Sequence, residues 1–141
     1  MAFTEEEIAY IRSQPLARVS TAAPDGQPDV VPVTFEFDGF HFYIGGFDPT
    51  NTRRTKNVAA GNDKVALVID DLAPPDPWAP RHHRKWRFLR IYGTAELVDR
   101  EGANGPAKIL KITPTISWSI NLADEQQGDD AGNVPPRRTV H

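Results

Sequence analysis

Apolar residues recur at every second position through most of this chain, the period of half-buried β-strands. Leu16, Arg18 and Ser20 alternate with Ala17, Val19 and Thr21. Val31, Val33, Phe35 and Phe37 share one face of a run from Val30 to Phe37. Phe42 and Ile44 alternate with His41, Tyr43 and Gly45 in the next run. Lys64 to Ile69 is almost continuously apolar, which predicts a strand buried on both faces. Leu89 to Val98 and Lys108 to Trp118 complete a set of six strands, with Gly93 marking a bend or a close backbone approach. Turn signals fall between the runs: Asp25-Gly26, Asp38-Gly39, Gly45-Gly46 with Asp48-Pro49, a proline-rich loop from Asp71 to Pro80, and a loop from Gly102 to Pro106. Pro32 lies inside the second run and lacks a ladder donor, so that strand is at an edge or carries a bulge.

Two segments depart from this period. Thr4 with Glu7 has capping-box form, Ile8 and Ile11 give one apolar stripe, and Pro15 ends the helix. A second helix follows Asp48-Pro49, capped by Thr50 or Asn51 and stopped at Gly61. Six short strands with few helices predict a mainly β fold, a small antiparallel barrel or sandwich.

The second helix carries the candidate chemistry. Arg53, Arg54, Thr55 and Lys56 fall in its first turns, among bare backbone N–H groups and the positive dipole end. Cations ordinarily avoid that place, and three together point to a bound anion, a phosphate above all. Plain solvation of a short surface helix is the competing account. The position directly after a glycine-broken strand favours the anion.

Composition excludes more than it assigns. A chain of 141 residues fits one domain with a modest core. It has no cysteine, hence no disulfide frame and no thiolate chemistry. A net charge of −3 and no apolar run of about 18 residues speak against nucleic-acid and membrane partners. The start, MAFTEEE, lacks the pattern of a signal peptide, so a soluble cytoplasmic protein is expected. The run RHHRKWRFLR, Arg81 to Arg90, would suit single-stranded nucleic acid, but no further basic track accompanies it, and charge on a strand edge also blocks aggregation. His82 and His83 are adjacent and would point to opposite faces of a strand, so no metal site is expected. Residues 1–122 are expected to form the domain, and Ala123 to His141 a polar tail, either disordered or ordered across a partner subunit. No Gly-x-Ser-x-Gly, Walker loop or His-Glu-x-x-His occurs, and no catalytic residue stands out.

Phe42-Tyr43-Ile44 followed by Arg54-Thr55-Lys56 resembles the cofactor segment of the pyridoxamine 5′-phosphate oxidase-like family of flavin and deazaflavin oxidoreductases, in its coenzyme F420-dependent branch. Gln14 to Thr21, Pro32 to Phe35, Val65 to Leu72, Ile91 to Glu96 and Ile112 to Trp118 support the resemblance, which covers about residues 4–122. The lengthened stretch from His82 to Phe88 departs from it. The resemblance implies an FMN-binding split β-barrel with a few short helices. It implies a homodimer with the cofactor at the subunit interface and hydride transfer to a small or polycyclic organic substrate. Arg54, Thr55 and Lys56 would bind the cofactor phosphate, with Arg53 and the Arg81 to Arg90 run supplying further cations. Val31, Pro32, Val33 and Thr34 would lie along the ring, Tyr43, Ile44 and Gly45 beneath it, and Trp118 would close the site. Coenzyme F420 is the expected cofactor, FMN the alternative. A non-catalytic module for a flavin or a tetrapyrrole is the competing class of function.

Overall fold

The computed structural model describes residues 2–74, 77–78, 85–102, 104–122 and 136–141. Helix α1, Glu5–Ser13, begins with the expected capping box: Thr4 Oγ1 accepts from the Glu7 N–H (3.1 Å), and the Glu7 carboxylate accepts from the Thr4 N–H (3.0 Å). The strands are β1 (Ala17–Ala22), β2 (Pro28–Val33), β3 (Glu36–Phe37), β4 (Phe42–Ile44), β5 (Lys64–Leu72), β6 (Trp86–Gly102), β7 (Gly105–Ile120) and β8 (Arg137–Val140). A 3₁₀ turn, Pro49–Asn51, and helix α2, Arg53–Ala59, stand between β4 and β5. All the pairings are antiparallel, in the order β2-β1-β5-β6-β7-β4-β3, with β8 on the free stretch of β7. Inward residues of every long strand meet in one core. Val19, Phe42, Ile44, Leu67, Ile69, Leu89, Ile91, Leu110 and Ile112 are buried in it.

Among the described residues eight strands appear where the alternation predicts six. The run from Val30 to Phe37 is split, because β2 pairs only with β1 at one end of the sheet, whereas β3 pairs with β4 at the other. Thr34 and Phe35 carry the chain between the two ends. Pro32 therefore sits in an edge strand, where a missing donor is tolerated. Strand β5 is not buried on both faces. Val65, Leu67 and Ile69 enter the core, while Ala66 and Val68 are half-buried on the outer face. Gly93 makes the expected close approach: the ladder shifts register between Tyr92 and Gly93, and a Cβ at Gly93 would lie 2.6 Å from the Thr113 carbonyl oxygen. The loop expected from Gly102 to Pro106 is a tight hairpin, with Gly102 opposite Gly105.

The chain end also differs from a disordered tail. Residues 123–135 lie outside the described residues, but Arg137–Val140 adds a strand along Ile116–Ser119. Thr139 is buried, the His141 N–H donates to the Thr115 carbonyl (2.9 Å), and the His141 ring meets the Ser117 hydroxyl (2.8 Å) and packs 4.4 Å from the Phe3 ring. This strand thus ties both chain ends to β7. Residues 79–84, including His82 and His83, likewise lie outside the described residues. Among the described residues, no group of side chains could hold a metal ion, and no helix is long and apolar enough to cross a membrane.

Helix α1 is pinned to the far end of β5 and β6 by one carboxylate. Asp71 accepts from Arg87 twice (2.6 and 2.9 Å), from the Tyr10 hydroxyl (2.8 Å) and from Gln14 Nε2 (3.2 Å). The Arg87 hydrogen bonds, with help from Tyr10, hold the Asp71 carboxyl below the ordinary carboxylate range against the opposing effect of burial. Burial and the bond to Asp71 push the Tyr10 phenol up.

Two outcomes follow from these contacts. Deleting residues 136–141 should remove about 3 kcal/mol of stability, a loss of about 10 °C in Tm, through the lost ladder bonds and the exposed β7 edge. An unchanged melting curve would show that β8 contributes nothing. Asp71→Asn should lower stability at pH 7 by about 1.5–3 kcal/mol. A carboxylate with a depressed folded pKa adds stability that is complete above its ordinary value of about 4 and disappears as pH falls through the folded value. Urea titrations at pH 7 and pH 3 should therefore show the gap between Asp71→Asn and wild type narrowing in acid.

Candidate functional site

The chain enters α2 by a different cap from the expected Thr50 or Asn51. The Asn51 side chain is turned back onto Asp48 (2.9 and 3.0 Å), and Thr50 Oγ1 accepts from the Lys108 N–H (3.0 Å). Thr52 caps instead, its Oγ1 accepting from the Thr55 N–H (3.3 Å). Gly61, at φ +104°, ends the segment as expected. The helix has only 7 residues, and its cap already occupies a first-turn donor. An anion here depends on side chains, not on the helix dipole.

Those side chains divide by face. Arg53 and Lys56 are exposed and form no ion pair among the described residues. Thr55 is buried, and its hydroxyl donates to the Pro49 carbonyl (2.7 Å). Arg54 lies half-buried under the Gly45-Gly46 turn. Its Nη2 donates to the Gly45 carbonyl (2.7 Å), while its Nε is buried with no acceptor. Burial lowers the Arg54 pKa, and the charge of Asp29 on β2 only partly offsets this. A guanidinium has five donors in a rigid fork. Among the described residues the one acceptor it meets is a neutral carbonyl, and part of the fork is desolvated without a partner.

The ring-side residues also separate by pleat. Val33 and Ile44 are buried in the core and can offer a ligand only backbone groups, whereas Val31 packs against the core and is half-buried. Pro32 and Thr34 are exposed on the opposite face. Tyr43 points outward from β4; its hydroxyl donates to Asp38 (3.2 Å), and the Arg100 guanidinium lies 5.2 Å over its ring. Thr34, Tyr43 and Gly45 are brought together in one pocket of about 230 Å³, with Gly46, Pro49 and Arg100. Trp118 is not brought to them. It sits beside Arg90, 4.3 Å from that guanidinium, and edge-on to Tyr92 at 4.9 Å. Tyr43 is paired with Lys111 on the same strand, β7. At about 3.3 Å per residue, Trp118 is about 20 Å farther along. A second, more apolar groove of about 530 Å³ occupies the outer face where β1, β5 and β6 meet, at Ser20, Ala66, Tyr92 and Thr94.

Sequence reasoning missed Arg100, Glu36 and Asp38. Arg100 pairs with Glu36 at 2.7 Å. Asp38 accepts from the N–H groups of Phe40 (2.9 Å) and His41 (2.6 Å) and from the His41 ring (3.0 Å). Slight burial raises the Asp38 pKa, but these donors outweigh it and bring the carboxyl to about 2. The Asp38-Gly39 turn signal was visible; the link from Asp38 to Tyr43 needed the β4 pleat.

The family profile described as pyridoxamine 5′-phosphate oxidase matches residues 3–127. A 5a,11a-dehydrotetracycline/5a,11a-dehydrooxytetracycline reductase of Streptomyces rimosus subsp. rimosus is 38% identical over 128 residues, 85% of each chain. A solved F420 reductase superposes with a TM-score of 0.54 at 25% identity, over 74% of this chain and 90% of that one. The General Stress Protein 26 of Bacillus anthracis superposes with a TM-score of 0.67 over 97% of both chains at 14% identity, a likeness of fold. The chain belongs to the pyridoxamine 5′-phosphate oxidase family, has its split β-barrel fold and is an oxidoreductase.

Gly46 is the backbone position on which the Arg54 arrangement rests. It has φ +121°, and a Cβ there would stand 3.3 Å from Arg54 Nη2. Gly46→Ala should lower stability by about 1–3 kcal/mol through backbone strain, measurable by denaturant unfolding. It should also displace the Arg54 guanidinium, visible as a shifted Arg54 side-chain resonance.

Proposed function

We propose that the protein is a coenzyme F420-dependent reductase that passes hydride to a small or polycyclic organic molecule, acting as a soluble cytoplasmic homodimer. The observation that carries the reading is the half-buried Arg54 guanidinium, which among the described residues has an orphaned Nε and no carboxylate in contact. Such a cation is stabilised by an anion that brings its own acceptors. With Lys56 and Arg53 on the adjoining exposed face of α2, it fits the phosphate of a flavin-like cofactor. The name of the F420 reductase supports the deazaflavin over other groups, and that of the Streptomyces enzyme supports a reductase.

The reduced deazaflavin supplies the hydride, so this chain need only bind, orient and shield it. Arg54 would meet the phosphate with its fork and Lys56 as a point charge. Pro32, Thr34, Tyr43 and Gly45 would flank the ring. Val33 and Ile44 would contribute backbone only, the half-buried Val31 could add part of its side chain, and the buried Thr55 hydroxyl would hold the turn through Pro49.

Dimerisation has two supports. A single small barrel offers a planar ring mainly its outside, and a ring site needs two walls. The outer sheet face, with Val30 68% and Tyr92 46% exposed around its groove, suits a second copy. In such a dimer Trp118 would reach the cofactor of the partner, not its own.

The cofactor choice rests on charge beyond the phosphate. Coenzyme F420 continues into an anionic glutamate tail, whereas FMN ends at its phosphate. Arg87 is committed to Asp71 and Arg90 to Trp118, which leaves Arg53 as the described cation best placed for the tail. Coenzyme F420 should bind more tightly than FMN, and the gap should shrink as salt screens the exposed charges. Lys56→Ala should weaken either cofactor about tenfold, one charge-assisted hydrogen bond, with an unchanged melting temperature. Paired titrations at low and high salt on wild type and Lys56→Ala decide the matter. Equal or tighter FMN binding would overturn the choice of coenzyme F420, and binding of neither would favour a module for another ligand.

A further inference from the structure

Within one chain, the pocket that joins Thr34, Tyr43 and Gly45 has less room than the cofactor ring system needs. Ligand pockets for molecules of that size run from about 300 to 1,000 Å³, whereas an apolar cavity of about 150 Å³ holds one benzene ring. At about 230 Å³ this pocket fits one six-membered ring with a substituent. Its chemistry is equally particular. The floor is built from residues with little or no side chain, Gly45, Gly46, Gly102 and Ala107, and the walls include Phe35 and Ile109. One end is polar. The Arg100 guanidinium is fixed there from two sides, by Glu36 at 2.7 Å and by the Tyr43 ring at 5.2 Å.

We propose that this pocket is a binding site for a single aromatic or quinonoid ring bearing a neutral oxygen acceptor, a carbonyl or a phenol, which Arg100 receives. Arg100 has five donors and only acceptors can answer them. The Glu36 carboxylate takes one of these donors at 2.7 Å. That carboxylate also disfavours an anionic ligand, since the Arg100–Glu36 pair is neutral as a unit. The Tyr43 hydroxyl donates to Asp38, which is itself held by His41 and Phe40, so Tyr43 serves as a fixed wall and support for Arg100, not as a donor into the pocket. Apolar walls without their own hydrogen-bonding demands accept the ring. Because Thr34, Tyr43 and Gly45 are also the expected ring-side residues, the pocket would hold the acceptor ring of the substrate next to the hydride source. That role rests on the reading of the protein as a deazaflavin reductase; the binding does not.

The test therefore uses the full chain without cofactor. 4-Hydroxybenzaldehyde, one ring with a neutral carbonyl, is titrated while amide resonances are followed by NMR. Saturable shifts at Gly45, Gly46 and Gly102 are expected, with no such response to 9-anthraldehyde, whose three fused rings exceed the pocket. Arg100→Met should weaken 4-hydroxybenzaldehyde at least tenfold, and Ala107→Leu, which fills the floor, should abolish the shifts. Each variant is checked for native melting first; if Ala107→Leu fails to fold, Arg100→Met alone decides. Absence of shifts in wild type, equal binding of the three-ring aldehyde, or wild-type affinity in Arg100→Met would overturn the proposal. A positive result in a protein that binds neither coenzyme F420 nor FMN would leave the pocket standing and remove only its role beside a hydride source.

Discussion

A 17-residue strand, β6, paired with a 16-residue strand, β7, along almost their whole lengths, fixes the position of everything else in the molecule. No other pairing extends so far. Strand β5 adds to the outer edge of β6 and brings β1 and β2 with it; β4 and β8 share the outer edge of β7, one toward each end. Two such strands cannot stay flat, because each twists and both must wrap one core. Gly93 relieves the strain. Its missing side chain lets the Thr113 carbonyl approach, and the register shift bends the hairpin there. Larger residues at that point would straighten the sheet and separate the two edges on which the site is assembled.

The site inherits its shape from the split in that hairpin's partners. Strands β2 and β3 are consecutive in sequence but lie at opposite ends of the sheet order. The connector Thr34-Phe35 and the strap from Gly45 through α2 therefore run over the same end of the barrel. Lys108 and Asn104, at the tip of the β6–β7 hairpin, hold that strap through Thr50 and the Phe47 carbonyl. Arg54 can then fold back on Gly45 and become desolvated. Its burial is costly in isolation, and Asp29 compensates only partly. The segment that carries Arg54 is in this sense held in place by a hairpin tip more than fifty residues away from the contacts it makes.

Much of this was legible in the chain, and the illegible parts have physical reasons. The α1 capping box, the edge character forced by Pro32 and the close approach at Gly93 each depend on local backbone chemistry, so single residues revealed them. The two-sided burial expected for Lys64 to Ile69 failed because Ala66 and Val68 are apolar on an outer face; periodicity cannot tell a hidden face from an apolar one. Strand β8 was missed because Arg137-Arg138-Thr139-Val140 has a polar composition and gains its order from the free edge of β7, a long-range partner. Of the candidate site, Arg54, Lys56, Tyr43 and Gly45 were proposed from one segment. Arg100 could not be, since its link to Tyr43 spans β6, β7 and β4. The mixed pleat was missed as well: naming Val31 to Thr34 as one unit ignored that neighbours in a strand face opposite ways.

That pleat bears on how a small barrel can do hydride chemistry at all. A strand offers a ligand side chains from alternate positions only, and β2 gives Pro32 on its outer face while Val33 is committed to the core. Below about 150 residues, core and binding surface compete for the same few strands. Arg54 shows one way out, a charged side chain folded back on the Gly45 carbonyl, where no core position is used. Trp118 shows another. It stands about 20 Å along β7 from Lys111, the partner of Tyr43, stiffened by Arg90 and Tyr92, on a face that contributes nothing to its own core. An aromatic so placed stands well away from the strap of its own chain. The division of cations and aromatics between opposite parts of one chain thus favours a site completed by two copies over a site enclosed by one.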